Sequence, residues 1–366
     1  MQSLKSDALE PDLHNLPTDG FARFAALAFR SFSVYGLIFI TLGLTVLFSV
    51  LLPGTFFTWL NARLIMSNQA VIALLALAAM IPMVAGKIDI SLGYNVVLCE
   101  VLAISLQTDH HLPWPLVLVI LLALGAFLGV FNALLVEIAR IDSFIATLGT
   151  GTVIYAIALW YTNGEQVIGK IPASFLSLAN AQLLGVPLPA IYVLILALAL
   201  WIVLDYLPAG RCLYAVGANP AAARLNGIST RAYTMGAFIA SGVITAFAGV
   251  VLASKLRIGQ IGVGLDYLLP ALVAAFLGST TIRPGRVNVW GTIIAIVVLA
   301  IGISGLQQLG GAFYVEPLFN GLTLLFAIGL AGLAGRRRVA KRKQEELLVR
   351  APASSNPSAK QTLTLS

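Results

Sequence analysis

Charge is what this sequence has least of: Asp, Glu, Lys and Arg make up 10% of its 366 residues, against roughly 25% in soluble domains. With 59% hydrophobic residues and a mean hydropathy of +0.95, the chain has too little polar surface to cover a water-soluble globule. Cysteine is limited to Cys99 and Cys212, in different segments and without CxxC or Cys/His spacing, which excludes a disulfide framework and a structural zinc site. Histidine is limited to His14 in a polar tail and to His110 and His111 in a short loop, all read as solvated. No metal and no cofactor are expected. The chain also lacks paired-aspartate, HExxH and GxSxG motifs, so nothing supports a membrane enzyme. The stretch from Gly164 to Lys170 fits GxxxxGK, but Ile171 stands where a hydroxyl must reach magnesium and Pro172 follows where a helix should continue. The chain therefore has no ATP site of its own.

Long apolar runs are what it does have. A spanning helix needs about 20 apolar residues, and runs recur at 34–52, 70–85, 91–106, 115–138, 144–160, 188–206, 233–253, 268–277, 289–306 and 318–333. Continuous runs such as 115–136 lack the alternation of a membrane barrel. The expected fold is an all-α polytopic membrane protein with about ten transmembrane helices. The segment Gly86-Lys-Ile-Asp-Ile-Ser-Leu-Gly93 reads as an interruption rather than an ordinary loop.

Positive charge sets the orientation, because cytoplasmic loops hold the excess of Lys and Arg. With the N-terminus inside, only Arg63, Lys170, Lys255 and Arg257 of the 22 basic residues fall outside. Both termini are then cytoplasmic, and the sequence pI near 9.5 reflects topology rather than nucleic-acid binding. Residues 1–30 read as a cytoplasmic tail, 31–335 as the transmembrane domain and 336–366 as a basic, then disordered, cytoplasmic tail. The Arg336–Lys343 run serves as a stop-transfer anchor or a contact with anionic headgroups.

Intramembrane carboxylates mark ion-coupled transporters, since each is costly in hydrocarbon. Glu100 alone sits deep in a predicted span, either facing a pathway or packed against a donor on a neighbouring helix. One acid without partners makes a poor proton relay, so the energy source is expected in another polypeptide. Asp89, Ser91, Asn95, Thr147 and Thr150 place polar groups in interrupted or glycine-bearing segments; they are candidates for a solute path, beside the plain reading as helix-packing groups. Gly125-Ala-Phe-Leu-Gly129 permits close helix approach and reads as packing within the chain.

The hydrophilic stretch 207–231 contains a short helix in outline. Asn219 suits the N-cap, Pro220 the first turn and Gly227 a left-handed residue past the end. Arg211-Cys-Leu-Tyr-Ala-Val-Gly-Ala-Asn-Pro-Ala-Ala-Ala-Arg-Leu-Asn-Gly-Ile228 resembles the cytoplasmic coupling loop of permease subunits of ribose-type monosaccharide ABC importers. The Gly86–Gly93 segment resembles that family's Gly-Gly-Ile-Asp-Leu-Ser-Val-Gly, and Ser143-Phe-Ile-Ala-Thr-Leu-Gly-Thr150 resembles its Pro-Phe-Ile-Ala-Thr-Leu-Gly-Thr. The likeness runs from about Val34 to Leu333. Lys87 departs from the family's glycine, and Thr280-Thr-Ile-Arg-Pro-Gly-Arg286 from its glycine-rich turn.

The resemblance implies a multi-pass protein of the bacterial inner membrane. It implies a second permease copy as a homodimer, cytoplasmic ABC ATPase subunits as two copies or one tandem chain, and a periplasmic or extracellular solute-binding protein. The expected cargo is a monosaccharide or similar neutral polyhydroxy solute; an ion-coupled secondary transporter is the alternative. Ala222, Ala223 and Leu225 are expected to contact the ATPase, with Asn219 capping the helix and Gly217 and Gly227 setting its approach.

Overall fold

A computed structural model describes residues 20–312, 314–323 and 325, with side chains from Tyr35 onward, Leu265 excepted. Of the sequence readings, His14, the basic run, the C-terminal tail and most of the 318–333 span lie outside the described residues. Among the described residues the regular structure is helical apart from two-residue strands β1 (Gln182–Leu183) and β2 (Val186–Pro187), paired antiparallel. Six helices among the described residues are long and apolar enough to cross a membrane: α2 (Trp59–Val84), α4 (Trp114–Glu137), α5 (Ser143–Thr162), α7 (Leu188–Trp201) with its continuation to Tyr206, α10 (Thr230–Leu256) and α12 (Val289–Gln308). Three more predicted runs fall on shorter apolar helices, within α1 (Gly20–Leu51) and on α3 (Leu92–Thr108) and α11 (Gly264–Gly278). In hydrocarbon a helix satisfies every backbone amide internally, so apolar composition and helical structure go together here.

α2 begins well before the predicted 70–85 run because polar residues of its first turns find partners. Thr58 caps it by accepting the Asn61 amide, the Asn61 side chain donates to the Phe56 carbonyl at 2.7 Å, and Arg63 donates to Gln182 at 3.0 Å. A hydropathy window sees those residues only as breaks.

Burial separates interior from perimeter. About two thirds of the apolar windows of α2 and α10 are buried, against 33% for α4 and 17% for α7, so α2 and α10 form the centre and α4 and α7 expose apolar faces outward. α10 packs against α2, α3 and α4. The α4 contact is made by small residues: a β-carbon on Gly125 or Gly129 would run into the α10 backbone at Gly242 and Phe238. The predicted small-residue pattern therefore packs inside the chain.

The connections divide between two ends. At one, Lys255 Nζ donates to the Ser67 carbonyl at 3.1 Å, Trp114 Nε1 to Ser174 of the short helix α6 (Ala173–Asn180) at 3.2 Å, and Val167 pairs with Gly259. The loop resembling a phosphate-binding sequence is at this end, with no strand leading into it. At the other end meet the Gly86 break, the α4–α5 connection and the 207–229 region.

Candidate functional site

The break between α2 and α3 starts where Pro82 removes a helical donor and Gly86 turns the chain at φ +74°. The Lys87 amide still bonds back to the Pro82 carbonyl at 2.9 Å, but the amides of residues 88–90 have no helical partner and need others. Two come from α5: the Ile88 amide donates to Ser143 Oγ at 3.1 Å and the Ile90 amide to Thr147 Oγ1 at 3.0 Å. The Asp89 carboxylate is 3% exposed. It accepts the Ser91 amide at 3.0 Å, the Ser91 hydroxyl at 2.6 Å and the Ser241 hydroxyl of α10 at 3.2 Å. Asn132 of α4 donates to Ser91 Oγ at 2.8 Å and accepts from Thr150 at 2.6 Å.

A closed network thus joins α4, α5 and α10 around the broken segment. Asp89, Ser91, Thr147 and Thr150 are brought together as candidates; Asn95 stands apart, its Oδ1 accepting from Cys99 at 3.4 Å. Sequence reading missed Asn132, Ser143 and Ser241. Asn132 carried a legible signal as the one amide in an otherwise apolar run; the two serines did not, because helix-bound serine is common in spans.

Glu100 is fully buried on α3. Its Oε1 accepts the Gln260 amide at 3.1 Å, and its other oxygen has no hydrogen-bond partner among the described residues. Of its two sequence readings the geometry is nearer to packing against a donor, but the donor sits in the loop between α10 and α11 rather than on a neighbouring helix.

The 207–231 region is more structured than a loop with one small helix. α8 (Pro208–Ala218) precedes α9 (Pro220–Leu225). Pro208 fits a first turn, and Leu213 and Val216 are buried beneath α8. Asn219 caps α9 by accepting the Ala222 amide at 3.1 Å, Pro220 opens it, and Gly227 follows at φ +76°. Gly217 lies so close to the end of α2 that a β-carbon there would meet the Val84 carbonyl, and its own carbonyl is 3.3 Å from where a Gly86 β-carbon would stand.

α8 is tied on its other flank to the 279–288 turn. Tyr214 donates to the Val287 carbonyl at 2.8 Å, the Arg286 guanidinium lies 3.5 Å from the Tyr214 ring centre, and Arg283 pairs with Asp205. Burial pushes the Tyr214 hydroxyl above its ordinary pKa, with the Arg286 charge opposing. α8 thus rests on the broken segment and on the α11–α12 turn together, and α9 lies on α8 and α10.

The face that α9 presents differs from the expected one. Ala223 is 4% exposed and packs inward, Ala222 is half-buried, and Leu225 is 90% exposed. Ala223 is thereby removed from the solvent-facing set: a six-residue helix lying on α8 and α10 must bury one side, and alanine lets the backbones approach.

Two of the cavities among the described residues bear on a solute path. One of about 520 Å³, between α1, α2, α7 and α12, is walled by Phe56, Trp59, Ile65, Val193 and Ile296; its apolar walls do not suit a polyol. The other, about 1000 Å³, is polar and lies at the Gly86 end, walled by the break, the α4–α5 connection and the start of α10.

The chain matches the family model described as branched-chain amino acid transport system / permease component over residues 61–331. It is 28% identical over 304 residues to the ribose import permease protein RbsC of Haemophilus influenzae, covering 82% of this chain and 94% of that one. It is 30% identical over 297 residues to the autoinducer 2 import system permease protein LsrD of Enterobacter sp. (strain 638), covering 78% and 90%. It is 30% identical over 267 residues to LsrD of Escherichia coli (strain K12), covering 72% and 81%. No solved structure matches.

Proposed function

Because the chain belongs to the branched-chain amino acid transport system / permease component family, we propose that it is the transmembrane permease of a binding-protein-dependent ABC importer, carrying a monosaccharide or similar neutral polyhydroxy solute inward. The observation that carries this reading is α9. It is a capped helix with Leu225 almost wholly exposed, braced through Gly217 against the break that holds Asp89 and Ser91. An apolar side chain held out in this way on a rigid support suits a partner's groove. Movement imposed on α9 would pass to the broken segment without a flexible linker between.

The partner is an ABC ATPase, present as two copies or one tandem chain, and a second permease copy completes a homodimer with two docking sites. A periplasmic or extracellular binding protein delivers the solute. The Gly86 end faces the cytoplasm: Lys87, Arg140, Arg211, Arg224, Arg231, Arg283 and Arg286 lie in its connections, against four basic residues at the opposite end. Both termini share the cytoplasmic side of a bacterial inner membrane. The names of the ribose and autoinducer 2 import permeases and the scarcity of membrane charge both favour a neutral polar cargo, since a charged one calls for buried counter-ions.

The path is proposed to run past the Asp89 network, whose polar groups become available as the closed arrangement opens. An ionophore that collapses ion gradients while ATP stays high is expected to leave uptake unchanged in cells carrying the complete system. Loss of uptake under that treatment would replace this reading with an ion-coupled transporter.

A further inference from the structure

We propose that the polar cavity at the Gly86 end holds the phosphate headgroup of an anionic phospholipid. Its walls carry Lys87, Arg140, Arg224 and Arg231 against Glu137 and Asp142. Most of these charges are already engaged. Glu137 faces Lys87 at 3.9 Å, the Asp142 carboxylate accepts the Phe144 and Ile145 amides as the cap of α5, and Arg224 Nε donates to Thr230 at 2.9 Å. Arg140 and Arg231 are in no ion pair among the described residues. The cavity therefore keeps two uncommitted guanidinium groups in a space of about 1000 Å³, and the positive ends of α5 and α10 start in the same wall.

The second observation is what borders the cavity. Ile138 is 55% exposed, Phe144 48% and Ile145 63%, so an outward apolar strip begins where the basic lining stops. A free phosphate needs only the basic part, and an acidic protein segment has no use for the strip. A phospholipid needs both, because its headgroup is anionic and its chains continue along apolar helix faces. The inference rests on membrane insertion alone and is independent of what the chain transports.

Native mass spectrometry of the purified full-length chain, offered phosphatidylglycerol, phosphatidylethanolamine or inorganic phosphate in detergent, tests it. The wild type is expected to retain phosphatidylglycerol over phosphatidylethanolamine, and Arg140→Gln/Arg231→Gln to retain it about thirtyfold less, as expected for two arginines at a headgroup. Lys170→Gln at the opposite end should retain it as the wild type does. The charge-preserving Arg140→Lys/Arg231→Lys pair covers the case in which the glutamines disturb folding, and should keep most of the lipid. Equal retention by the wild type and the glutamine pair would overturn the site. Displacement by inorganic phosphate at concentrations matching the lipid would overturn its assignment to a lipid.

Discussion

Leu225→Glu is expected to reach the membrane at wild-type levels, to lose its co-purifying ATPase and to import solute at background rate. The side chain is 90% exposed, so within the isolated chain the change exchanges one solvated group for another and costs little stability. In the assembled transporter the same carboxylate would be buried without a partner, at a cost of about 3–5 kcal/mol, which weakens docking by about two to four orders of magnitude. Leu225→Ala should be milder, since it removes only apolar contact. Ala223→Glu is a poorer probe of the same idea: Ala223 is 4% exposed, so its glutamate would enter this chain's own packing and lower membrane levels whatever the partner does. A Leu225→Glu variant that kept both ATPase and transport would remove α9 from the docking role.

Asp89→Ala is expected to destabilise the membrane domain severely, read as a lowered melting temperature in detergent and loss of folded protein. It leaves the Ser91 amide, the Ser91 hydroxyl and the Ser241 hydroxyl without their acceptor. Each buried donor left unpaired costs about 1–3 kcal/mol; re-aimed hydroxyls recover part of this, leaving a loss of about 3 kcal/mol. Asp89→Asn retains one carbonyl oxygen for the two Ser91 donors, and its amide is able to donate to Ser241, so it should keep most of the stability. The pair separates two roles. If Asp89→Asn melts like the wild type and only KM for the solute rises, Asp89 contacts the cargo directly. An Asp89→Ala variant as stable as the wild type would show that the network does not hold the broken segment.

The helical fold, the position of the break and the cap of α9 were all legible because each depends on residues adjacent in sequence. Apolar runs mark spans, Gly86 and Asp89 mark the interruption, and Asn219-Pro220 with Gly227 bounds a short helix. What sequence reading missed depends on tertiary contact. α2 extends to Trp59 because Asn61 and Arg63 find partners far along the chain. α8 forms where Leu213 and Val216 have a membrane domain to lie on. The side on which α9 exposes Leu225 rather than Ala223 is set by α8 and α10, and a run of alanines carries no periodicity to announce it. Asn132 and Ser241 joined the Asp89 site for the same reason, since only the packing of α4 and α10 brings them to the break.

The central claim is that this chain supplies a path and a docking surface while the driving energy enters through another subunit. Solute accumulation in proteoliposomes containing the permease and its binding protein, with and without the partner ATPase and ATP, measures that directly. Accumulation above the equilibrium level only when ATPase and ATP are both present is the predicted result; concentrative uptake by the permease without the ATPase would contradict it.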